Sequence, residues 1–104
     1  MTIQEITVDE LDVLLDDGAR LVDVREPHEY DDARVPGGIL VPLASVPDRL
    51  DEFPADRITY VICRSGARSR KACEFVAAHG REAVNVAGGT LAWIESGRAV
   101  DAGT

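Results

Sequence analysis

ITYVICRSGARSRKACEFVAAHG, residues 58–80, holds a strand, a short polar loop and a helix in one run. Ile58 to Ile62 is the strongest strand signal in the chain, and a mostly continuous apolar run of this kind suits a strand covered on both faces. It leads directly into Cys63. From about residue 67 to 79, Ala72, Cys73, Val76 and Ala77 fall on one helical face, and Gly80 supplies the residue on which helices commonly stop. A buried strand feeding a helix through a short loop predicts an α/β fold built on a parallel sheet.

The flanking sequence repeats the alternation. Thr7-Val8-Asp9-Glu10 has the form of a capping box, and Val8, Leu11, Leu14 and Leu15 recur behind it at helical spacing until Gly18. Leu21 to Val24 reads as a strand. Pro27 then opens a short helix carrying His28, Glu29 and Tyr30. Pro36-Gly37-Gly38 is a turn, Ile39-Leu40-Val41 a second buried strand, and Val46 to Leu50 a weakly helical stretch ahead of a turn at Phe53 to Asp56. Ala83 to Val86 is a further strand; Gly88-Gly89 turns the chain into a last helix, Leu91 to Glu95, stopped by Gly97. At 104 residues the chain suffices for one core, so residues 1–104 are read as a single domain whose tail frays from about Asp101.

Composition narrows the function. No stretch approaches the roughly 18 apolar residues of a membrane span, and Met1 to Glu5 lacks the basic and apolar regions of a secretory signal, so a cytoplasmic protein is expected. A net charge of −8 argues against nucleic acid and anionic membranes as partners. The two cysteines, Cys63 and Cys73, match neither a redox Cys-x-x-Cys nor a zinc spacing, and a disulfide between them is not expected in a reducing compartment. No metal or organic cofactor is implied, and the oligomeric state is not legible.

Against this acidic background Arg64, Arg68, Arg70 and Lys71 crowd in just after Cys63, so the rest of the chain carries −12. A local basic island suggests a local anion. In an open parallel sheet, ligands gather at the carboxyl ends of the strands, where Cys63 falls. The loop Arg64-Ser65-Gly66-Ala67-Arg68 is small and contains a glycine, so its amides can curl inward as an anion nest, with Ser69 available to cap the helix that follows. Such a cradle lowers a thiol pKa and makes Cys63 a nucleophile without a neighbouring histidine. The plainer reading of Cys63 is a buried structural thiol, and Cys73, on the apolar helix face, fits that description better. Arg70 and Lys71 open the helix where a cation opposes its dipole, consistent with attraction of anions or of an acidic partner, or with plain solvated charge. Asp23 and Arg25 read as an ion pair bracing the strand ends; Tyr30 and Trp93 read as structural, and His28 and His79 as non-catalytic.

Spacing separates the reactions open to such a loop. A cysteine phosphatase uses Cys-x5-Arg; here Ser69 takes that place and Arg68 comes one residue early. The resulting loop is tight for tetrahedral phosphate and suits a single sulfur atom carried as a persulfide. At this point the chain resembles a single-domain rhodanese. Cys63 to Ser69 matches the active-site loop of that family, Leu21 to Glu26 followed by Glu29-Tyr30 its early strand motif, Val35 to Ile39 its Ile-Pro-Gly-Ala turn, and Gly88 to Trp93 its Gly-Gly-x-x-Ala-Trp segment. Ala33-Arg34 stands where Gly-His is usual, and Gly38 where Ala is usual. The resemblance implies a rhodanese-like α/β fold with a five-stranded, mainly parallel sheet and helices on both faces. It implies a sulfurtransferase of the thiosulfate type, with Cys63 catalytic and Arg64, Ser65, Gly66, Ala67, Arg68 and Ser69 binding the substrate. The partners implied are a small anionic sulfur donor and a cyanide or thiol acceptor, a thiol protein included. A relay module that takes a persulfide from a partner protein is the competing reading, because it needs the same loop.

Overall fold

The computed structural model describes residues 2–103. Five strands, β1 (Glu5–Ile6), β2 (Arg20–Asp23), β3 (Ile39–Leu40), β4 (Thr59–Ile62) and β5 (Ala83–Val86), form one sheet in the order β1-β5-β4-β2-β3. Every pairing between them is parallel. The central position of β4 explains its mostly apolar character, since it has a neighbouring strand on each side and cover above and below.

Three α-helices connect strands, α1 (Val8–Asp16), α2 (Pro27–Asp32) and α3 (Ala67–Ala78), and a fourth, α4 (Gly89–Glu95), follows the last strand. Their starts follow from the sequence. Thr7 caps α1, accepting from the Glu10 amide while the Glu10 carboxylate accepts from Thr7 N–H. Pro27 stands in the first turn of α2, where its missing N–H costs no hydrogen bond. The weakly helical stretch is a kinked 3-10 segment, Leu43–Glu52, interrupted at Arg49 and containing Pro47.

Two apolar layers cover the sheet. On one face Val46 of the 3-10 segment, Phe53 just after it, and Ala72, Cys73 and Val76 of α3 meet Val22, Val24 and Val61; on the other Val8 and Leu11 of α1 and Trp93 of α4 meet Leu21, Ile62 and Val86. Alternate residues of β2 and β4 therefore feed opposite cores, as the two-residue side-chain period of a strand requires. Trp93 is structural as expected, its indole N–H donating to the Ala99 carbonyl at 2.9 Å. Tyr30 donates its hydroxyl to the Gly38 carbonyl at 2.6 Å.

Two expectations change. The sequence reading passed over β1, whose two residues are too few to show periodicity. The tail expected to fray is tied down: Arg34 and Asp101 exchange backbone hydrogen bonds at 2.9 and 3.0 Å, and Gly103 N–H donates to the Asp31 carbonyl at 2.7 Å.

Candidate active site

Cys63 leaves the end of β4 and its side chain is almost wholly enclosed, the residue retaining 1% of its exposure. What encloses it is polar on one side. The Gly66 N–H donates to Cys63 Sγ at 3.1 Å, the Ser69 hydroxyl lies 3.2 Å from the same sulfur, and the Ser65 and Ser69 amides also favour its anion. Burial pushes the thiol pKa up, and these donors together outweigh it, so the net shift is downward. Cys73 shows what burial does alone: against the apolar sheet face its thiol is pushed up to about 12.

Backbone geometry makes the nest. Gly66 is the N-cap of α3 at φ 115°, a left-handed conformation that glycine adopts without strain. The bend aims the unpaired amides of the first helical turn back at the sulfur, and the helix dipole adds to their field. The cap expected of Ser69 is therefore not made: Gly66 fills that place, and Ser69, fully buried in the first turn, faces inward to the sulfur. On the other side α4 presses against the loop. Gly89, at φ 59°, lies so close that a Cβ there would stand 2.6 Å from the carbonyl oxygens of Cys63 and Arg64. Those carbonyls are held by N–H groups of α4, Thr90 to Cys63 at 2.9 Å and Leu91 to Arg64 at 3.1 Å.

The four cations divide into two kinds. Arg68 makes a two-pronged ion pair with Glu29 of α2, both contacts at 2.8 Å, which draws the Glu29 carboxyl down to about 2. Arg70 reaches Glu5 of β1 at 3.3 Å. Arg64 and Lys71 are exposed and make no ion pair among the described residues. Ser65 and Ala67 are exposed at the rim. Asp23 and Arg25 form the expected buried pair, with Arg25 also donating to the Ala33 carbonyl at 2.8 Å, and so fix α2 relative to the strand ends. Next to the loop, a pocket of about 180 Å³ opens between α2 and α4, with Arg64, Glu29 and Asp32 as its charged wall and Leu91 and Ile94 as its apolar one. A larger cavity of about 490 Å³, bordered by Asp12, Trp93 and Arg98, contains no residue of the Cys63 loop.

Two site residues lay outside the sequence reading. Asn85 of β5 is fully buried behind the loop and touches both Ser69 and the Gly66 carbonyl; Glu5 of β1 stands behind Asn85. A polar residue inside the otherwise apolar run Ala83 to Val86 was the available signal for Asn85. Among the described residues no group of histidine, cysteine and carboxylate side chains is arranged to hold a metal ion, and no helix is long and apolar enough to cross a membrane.

The model of the rhodanese-like domain family matches residues 7–96. A sulfurtransferase of Allochromatium vinosum is 40% identical over 78 residues, covering 74% of this chain and 73% of that protein. YrkF of Bacillus subtilis, a candidate sulfur carrier protein, is 35% identical over 79 residues, 75% of this chain and 43% of that one. Among solved structures, a rhodanese-like domain protein from Staphylococcus aureus superposes with a TM-score of 0.88 at 36% identity, covering 98% of this chain and 100% of that chain.

Proposed function

We propose, because the chain belongs to the rhodanese-like domain family, that Cys63 takes up the outer sulfur of a thiosulfate-like donor and passes it to a cyanide or thiol acceptor. The observation that carries the reading is the enclosure of Cys63 Sγ by the Gly66 amide at 3.1 Å and the Ser69 hydroxyl at 3.2 Å. A lone thiol with these partners is activated by fixed dipoles in place of a base.

The steps balance without a redox partner. The Cys63 thiolate attacks the outer sulfur of the donor; the donor's S–S bond breaks and its electron pair leaves with sulfite. A persulfide anion then sits on Cys63. An acceptor thiolate or cyanide attacks the terminal sulfur, the new S–S bond breaks, and the Cys63 thiolate returns. Ser65, Gly66, Ala67 and Ser69 would supply the donors that hold the anionic sulfur, and Arg64 the free cation for the sulfonate end. Arg68, already paired with Glu29, would act mainly by holding the loop against α2.

Incubation with thiosulfate should add roughly 32 Da to the peptide containing Cys63, as one sulfur atom requires. Both that gain and sulfite release should vanish in Cys63→Ser; full turnover by that variant would refute the assignment. A second reading, a relay that accepts persulfide sulfur from a partner protein, draws support from the likeness to the candidate sulfur carrier. Efficient turnover with thiosulfate alone would discard it, whereas charging of Cys63 by a donor protein but not by thiosulfate would establish it.

A further inference from the structure

Behind Cys63 runs a chain of polar groups that a rigid anion nest would not need. Ser69 Oγ lies 3.2 Å from Cys63 Sγ and 3.3 Å from the Gly66 carbonyl, and it donates a short hydrogen bond to Asn85 Oδ1. Asn85 Nδ2 donates to Glu5 Oε2 at 2.8 Å and to the Gly66 carbonyl at 3.1 Å, and Glu5 Oε2 in turn receives Arg70 at 3.3 Å. The amide cannot be turned over, because its oxygen would then face two acceptors. Asn85 Oδ1 must therefore face Ser69. No other donor reaches it among the described residues.

A serine hydroxyl has one proton; the Gly66 carbonyl within its reach already accepts from Asn85 Nδ2 and the Arg70 N–H, which leaves Asn85 Oδ1 and Cys63 Sγ to compete for it. While the sulfur is a neutral thiol there is no conflict: Ser69 donates to Asn85, and the Cys63 S–H can donate to the free side of Ser69 Oγ. When the sulfur is an anion, the hydroxyl proton must turn to it, and Asn85 Oδ1 is left buried and unpartnered. In the persulfide the inner sulfur is neutral again, so the proton can return to Asn85 while the loop amides hold the terminal sulfur.

We propose that Asn85 is a positioning residue which, through Ser69, opposes the Cys63 thiolate and releases the hydroxyl to it only on deprotonation. The site is thereby kept short of the most acidic thiol that its amides could produce. This rests on Cys63 being the reactive sulfur, and its test uses no sulfur donor, so it fails or succeeds separately from the transfer reaction. The charged and titratable groups of the loop and of the elements packed around it are Arg64, Arg68, Arg70 and Cys73, Glu29 of α2, Glu5 of β1, and the Asp23–Arg25 pair at the end of β2; every variant below retains them.

The readout is the pH dependence of alkylation at Cys63, followed by the mass of its peptide. Asn85→Leu removes the competing acceptor, and at a pH one unit below the wild-type midpoint it should speed alkylation by roughly threefold to tenfold. Asn85→Asp strengthens the competitor and adds charge, and should slow it. In a Ser69→Ala background Asn85→Leu should have no further effect. Asn85→Ala offers the same loss of acceptor should leucine not fit. A shift of the same sign in the leucine and aspartate variants, or a leucine effect that persists undiminished without the Ser69 hydroxyl, would overturn the proposal.

Discussion

Cys63 and Cys73 occupy the same apolar layer and differ in what α3 offers them. Cys63 faces the open end of the helix and its unpaired amides, whereas Cys73 lies along its side where every amide is already used. Alkylation of the folded protein should therefore label Cys63, with a midpoint below that of a free thiol, and leave Cys73 untouched until denaturant is added. Ser69→Ala should raise the Cys63 midpoint, because a donor that favours the anion is lost while the burial that disfavours it stays. Cys63 and its loop stood out in the sequence as a candidate site because strand, loop and helix are contiguous there. Asn85 was not. It comes within reach only because the parallel register sets it opposite Val61, two residues before Cys63, and a register between strands more than twenty residues apart leaves no local trace. The partner of Arg68 escaped for the same reason: Glu29 stood out as part of a motif, but nothing in its own neighbourhood points to a guanidinium 39 positions away.

The loop is clamped between helix starts rather than free to adapt. Gly66 begins α3 in a left-handed conformation, and the first residue of α4, Gly89, lets its backbone close on the carbonyls of Cys63 and Arg64. Gly89→Ala would bring a Cβ to 2.6 Å from both oxygens in a conformation that alanine also resists. Its expected cost is at least about 2 kcal/mol, or roughly 10 °C in Tm, measurable by thermal melting. Gly66→Ala meets no atom nearer than 3.7 Å, so it should pay only the backbone strain, about 1–2 kcal/mol, and should disturb Cys63 reactivity more than stability. Helices and long strands were readable from caps and apolar spacing, which are local signals: the Thr7 capping box and the Gly80 stop lie where expected. The short strand β1 was not, since Glu5 and Ile6 are ordered by pairing with Asn85 and Val86 and not by any preference of their own.

Across the whole molecule, the basic island is half neutralised by distant carboxylates. Arg68 and Arg70 reach to α2 and β1, the two flanks of the site, and bind them to α3, while Arg64 is left facing the pocket. The Glu29 carboxyl titrates near 2 in the folded chain against an ordinary 4.5. A depressed acid contributes its stability above the unfolded value and loses it as pH falls through the folded one, so this share should disappear between about pH 4.5 and 2. In urea titrations over that range Glu29→Gln should flatten the acid dependence, and near neutrality it should cost about 1 kcal/mol or less, since both side chains are partly exposed. The parallel sheet followed from the alternation of apolar runs and helices, but the way α3 is tied by charge to α2 and to the edge strand β1 depends on tertiary proximity alone.

The seam at Arg34–Asp101 reaches the same machinery from behind. Gly103 holds the Asp31 carbonyl and Arg34 grips both Gly103 and the Tyr30 carbonyl, so residues 101–103 act as a splint along α2. Trimming the chain after Val100 would remove that splint. The helix bearing Glu29 would then lean less firmly on Arg68, and the reactivity proposed for Cys63 would weaken through a cut made in the sequence nearly forty residues beyond it.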